Sequence, residues 1–288
     1  MRHGELRNLW SGFWATSLGT LASRVLGLAR DVSMAVLLGM STGGVMDAFV
    51  VAFRVPNLFR RVLGEGALAT SLLPVFTAEH RADPQRGWQL ATAVLLVLGL
   101  ALTALTLAGE AVCLAVLWWA GNNESLWQLA ALTAALLPYM ILACLAAQAS
   151  AVLESLSRFR TAAVAPAVLN VCWLAAAWWI APRFAPDKLR QAQVVAGGIL
   201  VSGLMQLWWQ YAALARLGFC WQFDWAASRA ACGQVLRTMT PIALGLAVTQ
   251  INTLTDSLIA WGLSAEVGAE RLEPQTARRR HVHERLLG

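Results

Sequence analysis

Apolar residues run through this chain in long blocks, with the polar positions gathered between them. A membrane-spanning helix needs about 20 predominantly apolar residues, and four charge-free blocks reach that length, at 87–109, 125–153, 161–182 and 191–215. A fifth block, 238–265, is interrupted by a single charge, Asp256. Before these lie two apolar stretches, 9–38 and 45–76, which carry Arg24, Arg30, Asp31, Asp47, Arg54, Arg60, Arg61 and Glu65. Both still read as spanning helices. The pattern predicts an all-α, polytopic membrane helix bundle of about seven transmembrane helices.

Composition supports that reading: 58% of the residues are hydrophobic and 13% charged, against about 45–50% and about 25% in soluble domains. Disorder is excluded and a soluble fold disfavoured. A formal charge of +6 would suggest nucleic acid in a soluble chain, but membrane topology accounts for the excess and no nucleic-acid partner is expected. Lys188 is the one lysine among 22 basic residues. A GC-rich genome accounts for most of that bias, although the planar fork of arginine also suits bidentate binding of phosphate. The five cysteines are scattered and never form a C-x-x-C pair, so they read as apolar packers. The histidines lie near segment ends, and His281 and His283 read as part of a solvated tail, so no metal site is expected.

Trp118-Trp119, Trp178-Trp179 and Trp208-Trp209 each fall near the end of an expected span, where amphipathic rings settle at headgroup depth. The apolar run continues past the small residues Ala22 and Ser23 and further spans follow, which argues against a cleaved signal peptide. With the N-terminus inside, Arg2, Arg7, Arg81, Arg86, Arg158, Arg160, Arg216, Arg229 and Arg237 are cytoplasmic; Arg183, Lys188 and Arg190 are outside. The basic bias therefore places the N-terminus in the cytoplasm. Seven spans leave the tail, with Arg278, Arg279 and Arg280, on the other side.

Ionisable groups inside spans are costly unless paired or hydrated, and so mark a pathway or a binding site. If the second span were one continuous helix, Asp47, Arg54, Arg61 and Glu65 would lie close to one face. Pro56 is expected to kink it. Arg61 and Glu65, at i and i+4, can pair. The bland alternative is mutual neutralisation in a hydrated crevice; yet three arginines against two acids, with Arg24, Arg30 and Asp31 before them, leave positive charge that suits an anionic ligand. Gly64-Glu65-Gly66 is the expected place for bending. Glu110 reads as near-interfacial, and Asp256 as a cation or proton site. No G-x-x-x-x-G-K-[ST], H-E-x-x-H or G-x-S-x-G motif occurs, so nucleotide hydrolysis and the common hydrolase chemistries have no site.

Ser23-Arg24-Val25-Leu26-Gly27-Leu28-Ala29-Arg30-Asp31, the run from Asp47-Ala48-Phe49 through Arg54-Val55-Pro56-Asn57-Leu58-Phe59-Arg60-Arg61, Gly64-Glu65-Gly66-Ala67 and Leu73-Pro74-Val75-Phe76 together resemble the MurJ (MviN) lipid II flippases. Weaker similarity continues through Pro166-Ala167-Val168-Leu169-Asn170 and from Thr249-Gln250-Ile251-Asn252 to Asp256. The resemblance implies an exporter fold of the multidrug/oligosaccharidyl-lipid/polysaccharide type, with two helix-bundle lobes around a cationic cavity. It also implies a function: flipping an undecaprenyl-diphosphate-linked peptidoglycan precursor to the outer leaflet of the bacterial cytoplasmic membrane by alternating access. Arg24, Arg30 and Arg60 match the substrate-binding arginines. Asp47 matches the acid opening the second helix, and with Arg54, Arg61, Glu65 and Asp256 it is expected to gate the site or balance its charge. The implied partners are the lipid-linked precursor, membrane lipid and a coupling ion. No cofactor and no enzymatic step are implied. The alternatives are export of another lipid-linked polysaccharide, drug/cation antiport, and a non-functional fragment.

Family members usually have fourteen helices, with a further essential arginine in the eighth. Here the pattern divides into a first lobe at 1–217, a cytoplasmic linker at 218–237, a seventh helix at 238–265 and a polar, Arg-rich tail at 266–288 that does not resemble the eighth helix. A truncation or a frameshift near residue 265 is the expectation, and a half-size protein that dimerises is the alternative.

Overall fold

Helices account for nearly all of the chain in the structure, a computed structural model that describes residues 21, 24–39, 44–121, 123–158, 161 and 164–287, with side chains except those of 65 and 265–287. Helix α1 covers 24–38; the part of the first expected span at 9–20 lies outside the described residues. It is followed by α2 (Val45–Phe59), a stretch of π-helix (Arg60–Leu68) and α3 (Ala69–Ala82), which run on as one rod. Next come α4 (Pro84–Trp119), α5 (Glu124–Leu136) and α6 (Pro138–Ser155). Helix α7 (Ala165–Ala175) continues through a second π stretch (Ala176–Ile180) into a 3₁₀ turn (Ala181–Phe184), and α8 (Lys188–Ala215) and α9 (Trp225–Leu287) complete the chain. No strand occurs among the described residues.

Short polar caps set the turns between the spans. Asp83 accepts from the Gln85 amide ahead of Pro84, Asn123 from the Leu126 amide, and Asp187 from the Arg190 amide, each satisfying a donor that the helix start leaves open. Lys188 Nζ donates to the Leu37 carbonyl, setting a cation against the C-terminal end of α1.

Five helices are long and apolar enough to cross a membrane: Pro84–Trp119, Glu124–Ser155, Ala165–Phe184, Lys188–Ala215 and Trp225–Ser264. The chain is a multi-pass membrane protein. The rod 45–82 is not among them. The tryptophan pairs face outward, with Trp118 and Trp119 90% and 94% exposed.

Two apolar cores are strung along the bundle. One joins Met34 of α1, Phe49 and Ala52 of α2, Leu132 and Leu136 of α5, Trp173 of α7 and Ala192 to Ile199 of α8. The other joins Leu68, Leu72 and Phe76 to Trp88 and Leu98 of α4, Leu153 of α6, and Cys232 and Val235 of α9. The middle of the rod, residues 53–61, lies between them. Interhelical polar contacts bind the layers: Gln148 Nε2 donates to the Ala91 carbonyl across α6 and α4 at 2.8 Å. Gln148→Leu is expected to lower stability by about 0.6–1.7 kcal/mol, the range for such bonds between membrane helices, as measured by reversible unfolding in mixed micelles.

Helix α9 starts inside the segment expected to be a linker and carries on through the expected tail. It packs on α2, the π stretch, α3 and α4 along one edge only, with 6% of its most apolar window buried.

Candidate functional site

The rod formed by α2 and its π continuation presents two faces to two neighbours. Phe53, Asn57 and Arg60 are spaced by four and three residues, which aligns them on one side of a helix, and all three line a cavity of about 240 Å³. Asp47 and Arg54, seven residues apart, share another side. There Asp47 Oδ2 accepts from Ser264 Oγ at 3.4 Å and Arg54 Nη1 donates to the Thr253 carbonyl at 3.1 Å, both on α9. Helix α9 runs antiparallel to the rod.

Pro56 lies inside α2, which continues through it, and the departure from α-helical pitch comes at Arg60. A residue in an i→i+5 stretch turns through less than the 100° of an α-helix. Arg61 therefore falls back from the face of Arg54 towards that of Arg60, and it too lines the cavity. Gly64 and Gly66 lie within this stretch against neighbouring helices. A Cβ on Gly64 would stand 2.9 Å from Ala147 Cβ on α6, and one on Gly66 would collide with Leu246 of α9.

Arg30 reaches the cavity from α1 and is firmly held. Its Nε and Nη2 donate to Asp31 Oδ1 at 2.9 and 2.8 Å, and Nη1 donates to the buried Asn170 Oδ1 at 3.3 Å. The guanidinium carbon lies 4.6 Å from the Trp173 ring centroid, within cation–π range. Trp173 is fixed in turn by edge-on contacts with Phe49 and Phe53, at centroid distances of 5.6 and 4.9 Å. Arg30, Arg60 and Arg61 thus line one cavity, closed by Pro166, Leu169 and Asn170 of α7, and no carboxylate lines it among the described residues. Such a site favours a multiply charged anion whose oxygens can take paired guanidinium hydrogen bonds.

Of the expected site residues, the structure brings Arg30, Arg60 and Arg61 together, and sets Asp47 and Arg54 apart on the α9 side. Arg24 is exposed on α1, about 9 Å along the axis from Arg30. Asp256 is exposed on α9. The expected Arg61–Glu65 pair lies outside the described side chains. Asn57, Asn170 and Trp173 received no role from the sequence. Their signal was polarity inside apolar spans for the two asparagines, while for Trp173 nothing local distinguishes a cation's partner from a packing residue.

A family model described as "Lipid II flippase MurJ" matches residues 34–269. A relative from Rhizobium tropici named "Probable lipid II flippase MurJ" is 34% identical over 257 residues, covering 87% of this chain and 48% of that protein. One from Burkholderia cenocepacia named "Lipid II flippase MurJ" is 31% identical, covering 88% of this chain and 50% of its own length. The chain spans about half the length of the curated relatives it matches. A solved structure titled "Lipid II flippase MurJ, inward closed conformation" superposes with a TM-score of 0.66 at 21% identity, over 86% of this chain and 50% of that one, so the two share a fold.

Proposed function

Because the chain belongs to the MurJ family of lipid II flippases, we propose that it supplies the cationic face that receives the diphosphate of a polyprenyl-linked cell-wall precursor, which the flippase carries from the cytoplasmic to the outer leaflet by alternating access. The observation that carries this is the convergence of Arg30, Arg60 and Arg61 on one cavity. A diphosphate taken out of water needs fixed cations, and the guanidinium groups of Arg30, Arg60 and Arg61 supply them. No covalent bond of the substrate changes. The same charge disfavours a cationic drug as the cargo.

Arg24, exposed on α1, makes an outer contact with the head group before it reaches Arg30. Asp47 and Arg54 couple the rod to α9 through Ser264 and Thr253, which suits a gating role, and Glu65 balances charge within the π stretch. Asp256, an isolated acid in an apolar helix, is the residue assigned to a coupling cation or proton. The basic-residue bias supports an N-terminus on the cytoplasmic side, and the family supports the bacterial inner membrane as the location.

The test is binding of undecaprenyl diphosphate to the purified chain in lipid nanodiscs. Saturable binding that weakens with added salt is expected; equal retention of undecaprenol, which lacks the phosphates, would overturn the reading. Trp173→Leu removes the ring beneath Arg30 and is expected to weaken this binding by about five- to thirtyfold, equivalent to about 1–2 kcal/mol for a cation–π contact to a buried ring. Trp173→Phe should recover part of the loss.

A further inference from the structure

The spanning helices α8 and α9 are joined by residues 216–224, and aromatic rings crowd this short connection. Trp221, Phe223 and Trp225 are 64%, 59% and 47% exposed, although rings of this size are mostly covered in folded proteins. Each ring has a fixed neighbour. Trp221 stacks on Tyr211 of α8 at a centroid distance of 6.0 Å and meets Phe219 edge-on at 5.4 Å, while Phe223 stacks on Trp225 at 6.4 Å. Phe219 is buried and seats the connection against Trp88 of α4 at 5.5 Å. The protein therefore holds the inner edge of the cluster and leaves its outer faces uncovered.

Depth says what covers them. Tyr211 lies about 4.5 Å along α8 from Trp208, and Trp208 and Trp209 are themselves exposed near the end of a span. Stacking on Tyr211 thus brings Trp221 back to the level of an interfacial tryptophan belt. The charges agree with that depth. Arg216 and Arg229 flank the connection and are exposed, as are Arg81 and Arg86 around the turn next to Trp88. The nearby acids are engaged at helix starts: Asp224 Oδ1 accepts from the Ala227 amide at 3.1 Å, and Asp83 Oδ1 from the Gln85 amide at 2.9 Å. Exposed rings bordered by arginines fit an anionic lipid surface, where rings settle at the acyl boundary and basic groups meet lipid phosphate. We propose that the α8–α9 connection is an interfacial anchor seated in the anionic headgroup layer, with Trp221, Phe223 and Trp225 at the acyl boundary and Arg216 and Arg229 on lipid phosphates. It fixes the depth of α9, whose most apolar window is only 6% buried by the rest of the protein.

Cys220, within the connection, is the exposed one of the five cysteines and takes a nitroxide label, with Cys172→Ala to keep the label at one position. Power saturation with oxygen and with a water-soluble nickel chelate reads its depth in nanodiscs of phosphatidylcholine with and without phosphatidylglycerol. The expected label is shielded from nickel and open to oxygen, more so with phosphatidylglycerol. Arg216→Gln and Arg229→Gln are each expected to lower the ratio of seated to unseated connection in the anionic discs by about fivefold, the equivalent of about 1 kcal/mol per arginine near an anionic surface. Trp221→Ser with Phe223→Ser should open the label to nickel in both lipids. A label fully open to nickel in both lipids before any of these changes overturns the anchor and leaves this face to a soluble partner. Equal shielding in the two lipids overturns the placing of the arginines on lipid phosphate. Shielding that survives the double serine change means that the protein itself covers the label, and overturns the lipid contact. The comparison of lipids alters no residue of the anchor, so it does not depend on those variants folding.

Discussion

Arg30→Ala lowers the affinity of the chain for undecaprenyl diphosphate by about 10- to 100-fold, as read by titration in nanodiscs. Hydrogen bonds to charged groups contribute about 1.5–3 kcal/mol each, and the low-dielectric surroundings of a membrane bundle favour the upper part of that range. The substitution also removes the bond that Asn170 Oδ1 accepts from Arg30 and leaves the Trp173 face without its cation. Arg30→Lys keeps the charge but has no planar fork with which to serve Asp31, Asn170 and a phosphate together, so it should recover only a small part of the loss. Unchanged affinity in Arg30→Ala would remove Arg30 from the site.

The adjacent glycines of α8 should respond in opposite ways to the same change. A Cβ on Gly198 would lie 2.5 Å from Ala176 Cβ and 3.3 Å from the Cys172 carbonyl oxygen, whereas one on Gly197 meets nothing within 4 Å. Neither atom facing Gly198 belongs to a flexible side chain, so α7 and α8 must move apart. Overpacking of this kind costs about 1–3 kcal/mol. Gly198→Ala is therefore expected to lower the unfolding midpoint clearly, and Gly198→Leu to prevent accumulation of folded protein. Gly197→Ala adds helix propensity and should leave the protein as stable or more stable, by up to about 1 kcal/mol. Equal behaviour of the two alanine variants in thermal unfolding would contradict the α7–α8 packing.

The sequence reading succeeded where the physics is one-dimensional. Charge-free blocks of adequate length became helices at 84–119, 124–155 and 188–215, because apolar length alone decides whether a segment can span. Resemblance carried the family, and the arginines clustered before residue 62 include the three, Arg30, Arg60 and Arg61, that line one cavity. What could not be read is three-dimensional. The π stretches depend on how neighbouring helices pack, so the shared face expected for Asp47, Arg54 and Arg61 assumed a constant pitch that ends at Arg60. Helix α9 begins at Trp225, where Arg229 and Arg237 had suggested a loop; charges suit the ends of long helices as well as loops.

A constant pitch would keep every side chain of the rod in fixed phase, so that any displacement of α9 would carry Arg60 and Arg61 along with Asp47 and Arg54. The slackened turns from Arg60 to Leu68 divide the rod into two segments of different pitch, and α9 packs on both. Between them the natural coordinate is torsion. Exchanging an i→i+5 bond for an i→i+4 bond re-phases what lies beyond it relative to Asp47 and Arg54, by rotation about the helix axis and without breaking the chain of backbone hydrogen bonds.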